Sequence, residues 1–148
     1  MRRFAVVLIF LLAGCAADQI SIPDPEFALL QLTKMPDAAS HVTGSFPVQY
    51  RLHIGNRATM PIILKNVNVT SVGMGSYDVP STSRPFNVQL TPGQPAEVDF
   101  FVSANIQDPT IIGANGPVTL HGIVTFFIPL QGEFQKSFML QANEMATQ

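Results

Sequence analysis

The sequence predicts an all-β domain behind a cleaved signal peptide: an antiparallel β-sandwich of the immunoglobulin or fibronectin type III kind, with about seven strands. Three observations predict it. Apolar residues recur at every second position over several stretches, most clearly between Ser45 and Asn56, and a period of two marks a strand with one buried side. Clusters of Gly, Pro, Asn and Ser separate these stretches at short intervals, the punctuation of a sandwich or barrel. Beyond the N-terminal run, no segment sustains the 3.6-residue apolar period of a helix.

The chain opens with Arg2 and Arg3, an apolar run from Phe4 to Leu12, and the small residues Ala13 and Gly14. A positive n-region, a short h-region and a small-residue cut site are the parts of a secretory signal. The run is too short to span a bilayer, which takes about twenty apolar residues. Leu12-Ala13-Gly14-Cys15 holds the only cysteine of the chain and resembles a bacterial lipobox, in which the cysteine thiol receives a diacylglycerol and becomes the new N-terminus. A thiolate is a strong nucleophile, and small neighbours give a membrane enzyme access to it. The resemblance implies that Leu12, Ala13, Gly14 and Cys15 form the lipobox, that residues 1–14 are the signal and 15–25 a lipidated tether, and that acylated Cys15 partners the lipid bilayer. Each buried acyl methylene contributes about 0.8 kcal/mol, so two or three chains hold durably. Ala16 stands where an aspartate often marks inner-membrane retention in diderm bacteria, which points to the outer membrane, facing the periplasm. The alternative is an ordinary secretory cut beside Cys15. With that thiol acylated no disulfide can form, and packing alone must stabilise the domain.

Pro23-Asp24-Pro25 forces extended backbone and stops any helix from continuing out of the signal. Glu26 to Thr33 reads as a first strand, although Phe27, Leu29, Leu30 and Leu32 do not alternate strictly and a helical turn fits as well. Pro36 to Gly44 reads as a loop. In Ser45 to Asn56, Phe46, Val48, Tyr50, Leu52 and Ile54 share one face. In Pro61 to Val72 the apolar phase changes between Leu64 and Val67, which predicts a bulge near Lys65-Asn66. Tyr77 to Val79 is a short strand ending at Pro80. Phe86, Val88 and Leu90 lead into Thr91-Pro92-Gly93-Gln94, a type II turn pattern, and Ala96, Val98, Phe100 and Val102 follow, so these two strands read as a hairpin. Asn105 to Pro117 is a longer connection in which the apolar Ile111-Ile112 reads as a cap on one end of the core. Val118 to Ile128 is apolar in both registers and reads as a central strand. Phe134, Phe138 and Leu140 mark the last strand, closing a domain of residues 26–142 before a polar tail, 143–148.

From about Pro25 to Leu140 the chain resembles the second group of late embryogenesis abundant proteins, also called the water stress and hypersensitive response domain, which bacteria carry as small lipoproteins. The residues that carry the resemblance are Val48 to Asn56, Met60-Pro61-Ile62, the Leu90-Thr91-Pro92-Gly93 turn, and Val118-Thr119-Leu120-His121-Gly122. Family members usually have Asn-Pro after the first of these strands; here Asn56 precedes Arg57 and the proline stands at Pro61. The resemblance implies a role in desiccation or envelope-stress tolerance.

Composition excludes a nucleic-acid partner. Loss of Arg2 and Arg3 with the signal leaves six basic against ten acidic side chains, a formal charge of −4, the opposite of a basic footprint. Charged residues make up 12% of the chain against about a quarter in typical domains, so the surface must be rich in Ser, Thr, Asn, Gln and Gly. His41, His53 and His121 lack metal-ligand spacing; His53 and His121 read as outward polar residues. Glu97 and Asp99 share a face, where they suit a calcium or acid–base pair or a negative charge that deters edge pairing. No GxSxG elbow activates a serine, and Gly73-Met74-Gly75 reads as a turn, with no lysine or helix behind it to hold phosphate. No cofactor and no catalytic residue is expected.

Phe101, Ile123 and Phe127 fall off the core register. On an uncovered sheet face they would form an interaction patch for a protein partner; the alternative is that loops or neighbouring side chains cover them. The expectation is a non-enzymatic, membrane-anchored lipoprotein of the bacterial cell envelope whose sandwich serves as a binding or structural module. The alternative is an adaptor in a secretion, pilus or transport assembly.

Overall fold

The computed structural model describes residues 22–34, 44–106 and 116–144. Nine strands follow one another among them: β1 (Glu26–Gln31), β2 (Ser45–Gly55), β3 (Ile62–Val72), β4 (Tyr77–Asp78), β5 (Thr82–Leu90), β6 (Pro95–Ile106), β7 (Thr119–Ile128), β8 (Gly132–Gln141) and β9 (Asn143–Glu144). They form two sheets, ordered β4-β6-β2-β1-β9 and β5-β3-β7-β8. Every pairing is antiparallel except the short β1–β9 contact, which is parallel. Without the two-residue strands, three strands face four, and the chain is the expected all-β sandwich.

Alternation in sequence becomes the core. Val48, Tyr50, Leu52 and Ile54 of β2 and Val98, Phe100, Val102 and Ala104 of β6 point inward from the first sheet, against Ile62, Leu64, Val67 and Val69 of β3 and Leu120, Val124, Phe126 and Ile128 of β7; all are buried. Each large side chain so buried contributes about 1.5–3 kcal/mol. The change of phase in β3 is resolved as predicted. Its register against both β5 and β7 shifts between Leu64 and Asn66, and this bulge returns Val67 and Val69 to the core face. β7 lies between β3 and β8, the central place its apolar residues predict.

Two expectations are corrected. The strands on either side of Thr91–Gln94 are not a hairpin: β5 pairs with β3 in one sheet and β6 with β2 in the other, so the turn carries the chain across the sandwich. The turn itself forms, with the Gln94 amide donating to the Thr91 carbonyl at 3.2 Å and Gly93 at φ 68°. β5 also begins earlier than its apolar residues indicate and contains Pro85. It is an edge strand and Pro85 faces the bulge residue Asn66, a setting that tolerates a missing N–H.

The expected tail, 143–148, is corrected in part. The buried Ala142 donates its amide to the Val118 carbonyl at 2.8 Å; the chain then leaves the β8 sheet, and Asn143 and Glu144 pair with Leu30 and Gln31 of β1. The predicted signal and lipobox, most of the Pro36–Gly44 loop, and Ile111-Ile112 lie outside the described residues.

Candidate functional site

The β2–β6 register brings together the charged side chains noted in sequence. It sets Arg51 opposite Asp99, His53 opposite Glu97 and Gln49 opposite Phe101. Because buried residues alternate with these, all six side chains stand on the outer face of the sheet. Arg51 Nε and Nη2 donate to Asp99 Oδ1 and Oδ2 at 2.7 and 2.9 Å, a two-pronged geometry peculiar to guanidinium and carboxylate. Arg51 Nη1 lies 3.4 Å from Glu97 Oε2, and His53 Nδ1 lies 3.2 Å from Glu97 Oε1. The hydrogen bond from Arg51, with the attraction of its charge, holds the Asp99 carboxyl below its ordinary range, and the same bond raises Arg51.

This ladder decides what Glu97 and Asp99 do. Both carboxylates are directed at Arg51, so each already faces a cation of the chain's own. Among the described residues no group of three or more His, Cys, Asp or Glu side chains is placed to hold a metal ion. β4 borders β6 at Asn105 and Ile106, and among the described residues no strand pairs with this edge of β6 from Pro95 to Ala104. Outward charge beside that edge discourages pairing by another chain, and the guanidinium of Arg84 blunts it further, Nε donating to the Phe101 carbonyl at 2.6 Å. His53 and His121 face outward from different sheets and do not converge; His41 lies outside the described residues.

A second polar cluster is internal. Tyr77 Oη donates to Gln31 Oε1 at 2.5 Å, and Gln31 Nε2 donates to the Thr33 carbonyl at 2.8 Å. The Tyr77 proton being used there, the Tyr50 hydroxyl 2.5 Å away must be the donor to Tyr77. Burial, reinforced by Tyr77, pushes the Tyr50 phenol far above its usual range, so Tyr50 stays protonated, and the two hydroxyls serve as a directed hydrogen-bond chain joining β2, β4 and β1. Among the described residues no buried side-chain nitrogen or oxygen lacks a partner. The cluster is a structural tie.

The apolar residues expected to form one patch are separated. Phe101 is 54% exposed on the outer face of the β6 sheet, whereas Ile123, 37% exposed, and Phe127, half-buried, lie on β7 in the opposite sheet. Alternation shows that all three point away from the core; it carries no information on which sheet holds them. Phe127 is partly covered, with Ile63 beside it in register and Lys65 Nζ 5.7 Å from the ring centre.

The end of the sandwich where β1 begins is built on Asn56. Its Oδ1 accepts from the Ala58 amide at 2.9 Å, its Nδ2 donates to the Leu90 and Met60 carbonyls at 2.9 and 3.2 Å, and its own carbonyl accepts from the Gly93 amide at 2.9 Å. One buried side chain thus ties the β2–β3 loop to the β5–β6 turn. At the same end the β7–β8 turn repeats the pattern of the β5–β6 turn, with the Gln131 amide donating to the Ile128 carbonyl at 3.1 Å behind Pro129. Where the first turn has Gly93 at φ 68°, the second has Leu130 at φ 71°. Leu130 is fully exposed. Sequence reasoning passed over it because a turn residue has no periodicity; the one available signal was a Pro followed by an apolar residue where a type II turn calls for Gly or Asn.

No family model matches the chain, and no curated protein matches it. Among solved structures, it is similar to an X-ray structure of a Northeast Structural Genomics Consortium target at 10% identity, over 81% of this chain and 85% of that one, with a TM-score of 0.47. It is also similar to a crystal structure of a protein from Archaeoglobus fulgidus at 11% identity, over 80% of this chain and 96% of that one, with a TM-score of 0.43.

Proposed function

We propose that this chain is a lipid-anchored lipoprotein of the bacterial cell envelope, held through acylated Cys15 at the outer membrane, whose sandwich acts as a non-enzymatic binding or structural module. One observation carries the reading: Leu12-Ala13-Gly14-Cys15, holding the only cysteine, closes an apolar run behind Arg2 and Arg3. The domain's polar groups support the non-enzymatic part. Glu97 and Asp99 are engaged by Arg51 and the buried tyrosines by each other and Gln31, so the strongest candidates for chemistry have structural partners. The resemblance to the water stress and hypersensitive response domain adds a role in desiccation or envelope-stress tolerance.

The test is metabolic fatty-acid labelling of native cells with membrane fractionation, comparing the wild type with Cys15→Ser. Label and membrane association on the wild type, both lost in Cys15→Ser, support the reading. An unlabelled wild type overturns it and leaves a freely secreted sandwich. The adaptor reading draws on the exposed Phe101 beside the edge of β6 that no described strand pairs with. Crosslinking on the same membranes separates the two: one discrete partner of fixed stoichiometry marks an adaptor, and its absence a standalone module.

A further inference from the structure

The tip of the β7–β8 turn combines two properties that packing does not explain. Leu130 is a large apolar side chain with 106% relative exposure, and its backbone, at φ 71°, is in the left-handed region that L residues other than Asn and Asp rarely occupy. A residue chosen for the turn alone would be Gly or Asn, as Gly93 is in the sister turn. Nothing in the core gains from the leucine.

Its position in the fold indicates what it meets. β1 begins with Glu26 opposite Gly55, and Gly55 pairs with Pro95; Ile62 pairs with Leu90, and Ile128 with Gly132. The start of β1 and the loops 56–61, 91–94 and 129–131 therefore share one end of the sandwich, where Gln131 Nε2 touches Met60 Sδ at 4.0 Å. β1, the first strand after Cys15, begins at that end, where Glu26 pairs with Arg57, while Asp24 just before it pairs with Lys136 of β8. Only six residues lie between Cys15 and Ile22, which packs against the core. Such a stretch reaches at most about 25 Å when fully extended. Within the three loops the one charged residue is Arg57, which pairs with Glu26 at the start of β1, and the loops themselves hold no acid for an anionic headgroup layer to repel.

We infer that Leu130 inserts into the lipid interface as a second membrane contact, turning this end of the sandwich onto the bilayer that holds Cys15. The inference rests on the lipid anchor proposed above. A single acyl-anchored point leaves a domain free to tumble on its tether, whereas an anchor with a second, apolar contact fixes its orientation.

The chain contains no tryptophan, so one introduced residue reports without background. The lipidated full chain is prepared as Leu130→Trp and as Met74→Trp, the latter at an exposed turn at the far end of β3. Both are reconstituted into vesicles of phosphatidylethanolamine and phosphatidylglycerol with acyl chains brominated near the headgroup. Retention of the β-sheet circular dichroism of the wild type establishes that each variant is folded. The expected result is a blue-shifted emission that loses most of its intensity to bromine in Leu130→Trp, with solvent-like, unquenched emission in Met74→Trp. Vesicle-bound protein with no quenching at position 130, or equal quenching at both positions, overturns the inference and leaves the anchor intact. Protein that fails to float with the vesicles and carries no acyl mass overturns the anchor itself, and this inference with it.

Discussion

Gly122 of β7 and Phe138 of β8 stand directly opposite each other, and the Phe138 ring lies over the glycine in the space a side chain would occupy. The ring in turn meets Phe27 of the other sheet, centre to centre at 5.3 Å, so the missing side chain at position 122 lets one aromatic lean across the core and bind the two layers.

Gly122→Ala is therefore expected to destabilise the domain by about 1–3 kcal/mol, the cost of overpacking a filled core. Urea unfolding followed by circular dichroism measures it. A smaller ring-free residue should relieve the clash, so Phe138→Leu added to Gly122→Ala should cost less than the sum of the two single changes. Simple additivity would show that the two residues do not share one space.

The directed chain from Tyr50 through Tyr77 to Gln31 predicts unequal losses. Tyr77→Phe removes a donor from Gln31 and an acceptor from Tyr50, leaving two buried groups unsatisfied at about 1–3 kcal/mol apiece. Tyr50→Phe leaves the Tyr77 hydroxyl still donating to Gln31. The Tyr50 change should lower the urea midpoint by clearly less than the Tyr77 change, and the reverse order would invert the donor assignment.

Asp99 titrates from an exposed position on the sheet, so its pairing is seen better in its own midpoint than in stability. An ordinary aspartate titrates near about 3.9. The folded midpoint is lowered by Arg51, so the pair's contribution is fully present above the unfolded value and fades as pH falls through the folded one. Carboxyl-carbon NMR should place the Asp99 midpoint below the ordinary value, and Arg51→Gln should move it upward. No movement in Arg51→Gln would remove the guanidinium as the cause.

The left-handed backbone of Leu130 predicts a substitution that stabilises. Leu130→Asn keeps the turn and removes much of the steric penalty of a leucine at φ 71°, which is about 1–2 kcal/mol in that region. Calorimetry on the domain in solution should show a higher Tm. A lower Tm would mean that the leucine makes contacts the exposed turn does not display.

The strands were legible because burial on one side writes itself into alternate positions. Val48 to Ile54 and Val98 to Val102 are read directly, and the slip between Leu64 and Val67 locates the bulge. What alternation does not record is which sheet a strand joins. Phe86 to Leu90 and Ala96 to Val102 alternate equally well as a hairpin or as a crossing between layers; the crossing is set by Asn56, whose carbonyl and amide grip Gly93 and Leu90 across a separation in sequence that no local pattern spans. The same blindness placed Phe101 with Ile123 and Phe127. The Arg51 ladder was half visible: Glu97 and Asp99 were recognised as sharing a face, but their partner lies 48 residues from Asp99, on a strand whose register only the fold supplies.

The switch at Ala142 has a consequence for the order of assembly. β1 is the first of the described strands, while the strand that completes its pairing, Asn143–Glu144, comes after every other. A chain synthesised from its N-terminus thus presents Leu30 and Gln31 with an unfilled edge until the latest segment arrives. Contacts of this span form slowly because the whole intervening chain must first be ordered. Removal of residues 142–148 would leave an otherwise assembled sandwich with a vacant strand position beside β1, a shape to which the β9 segment of an intact copy is complementary.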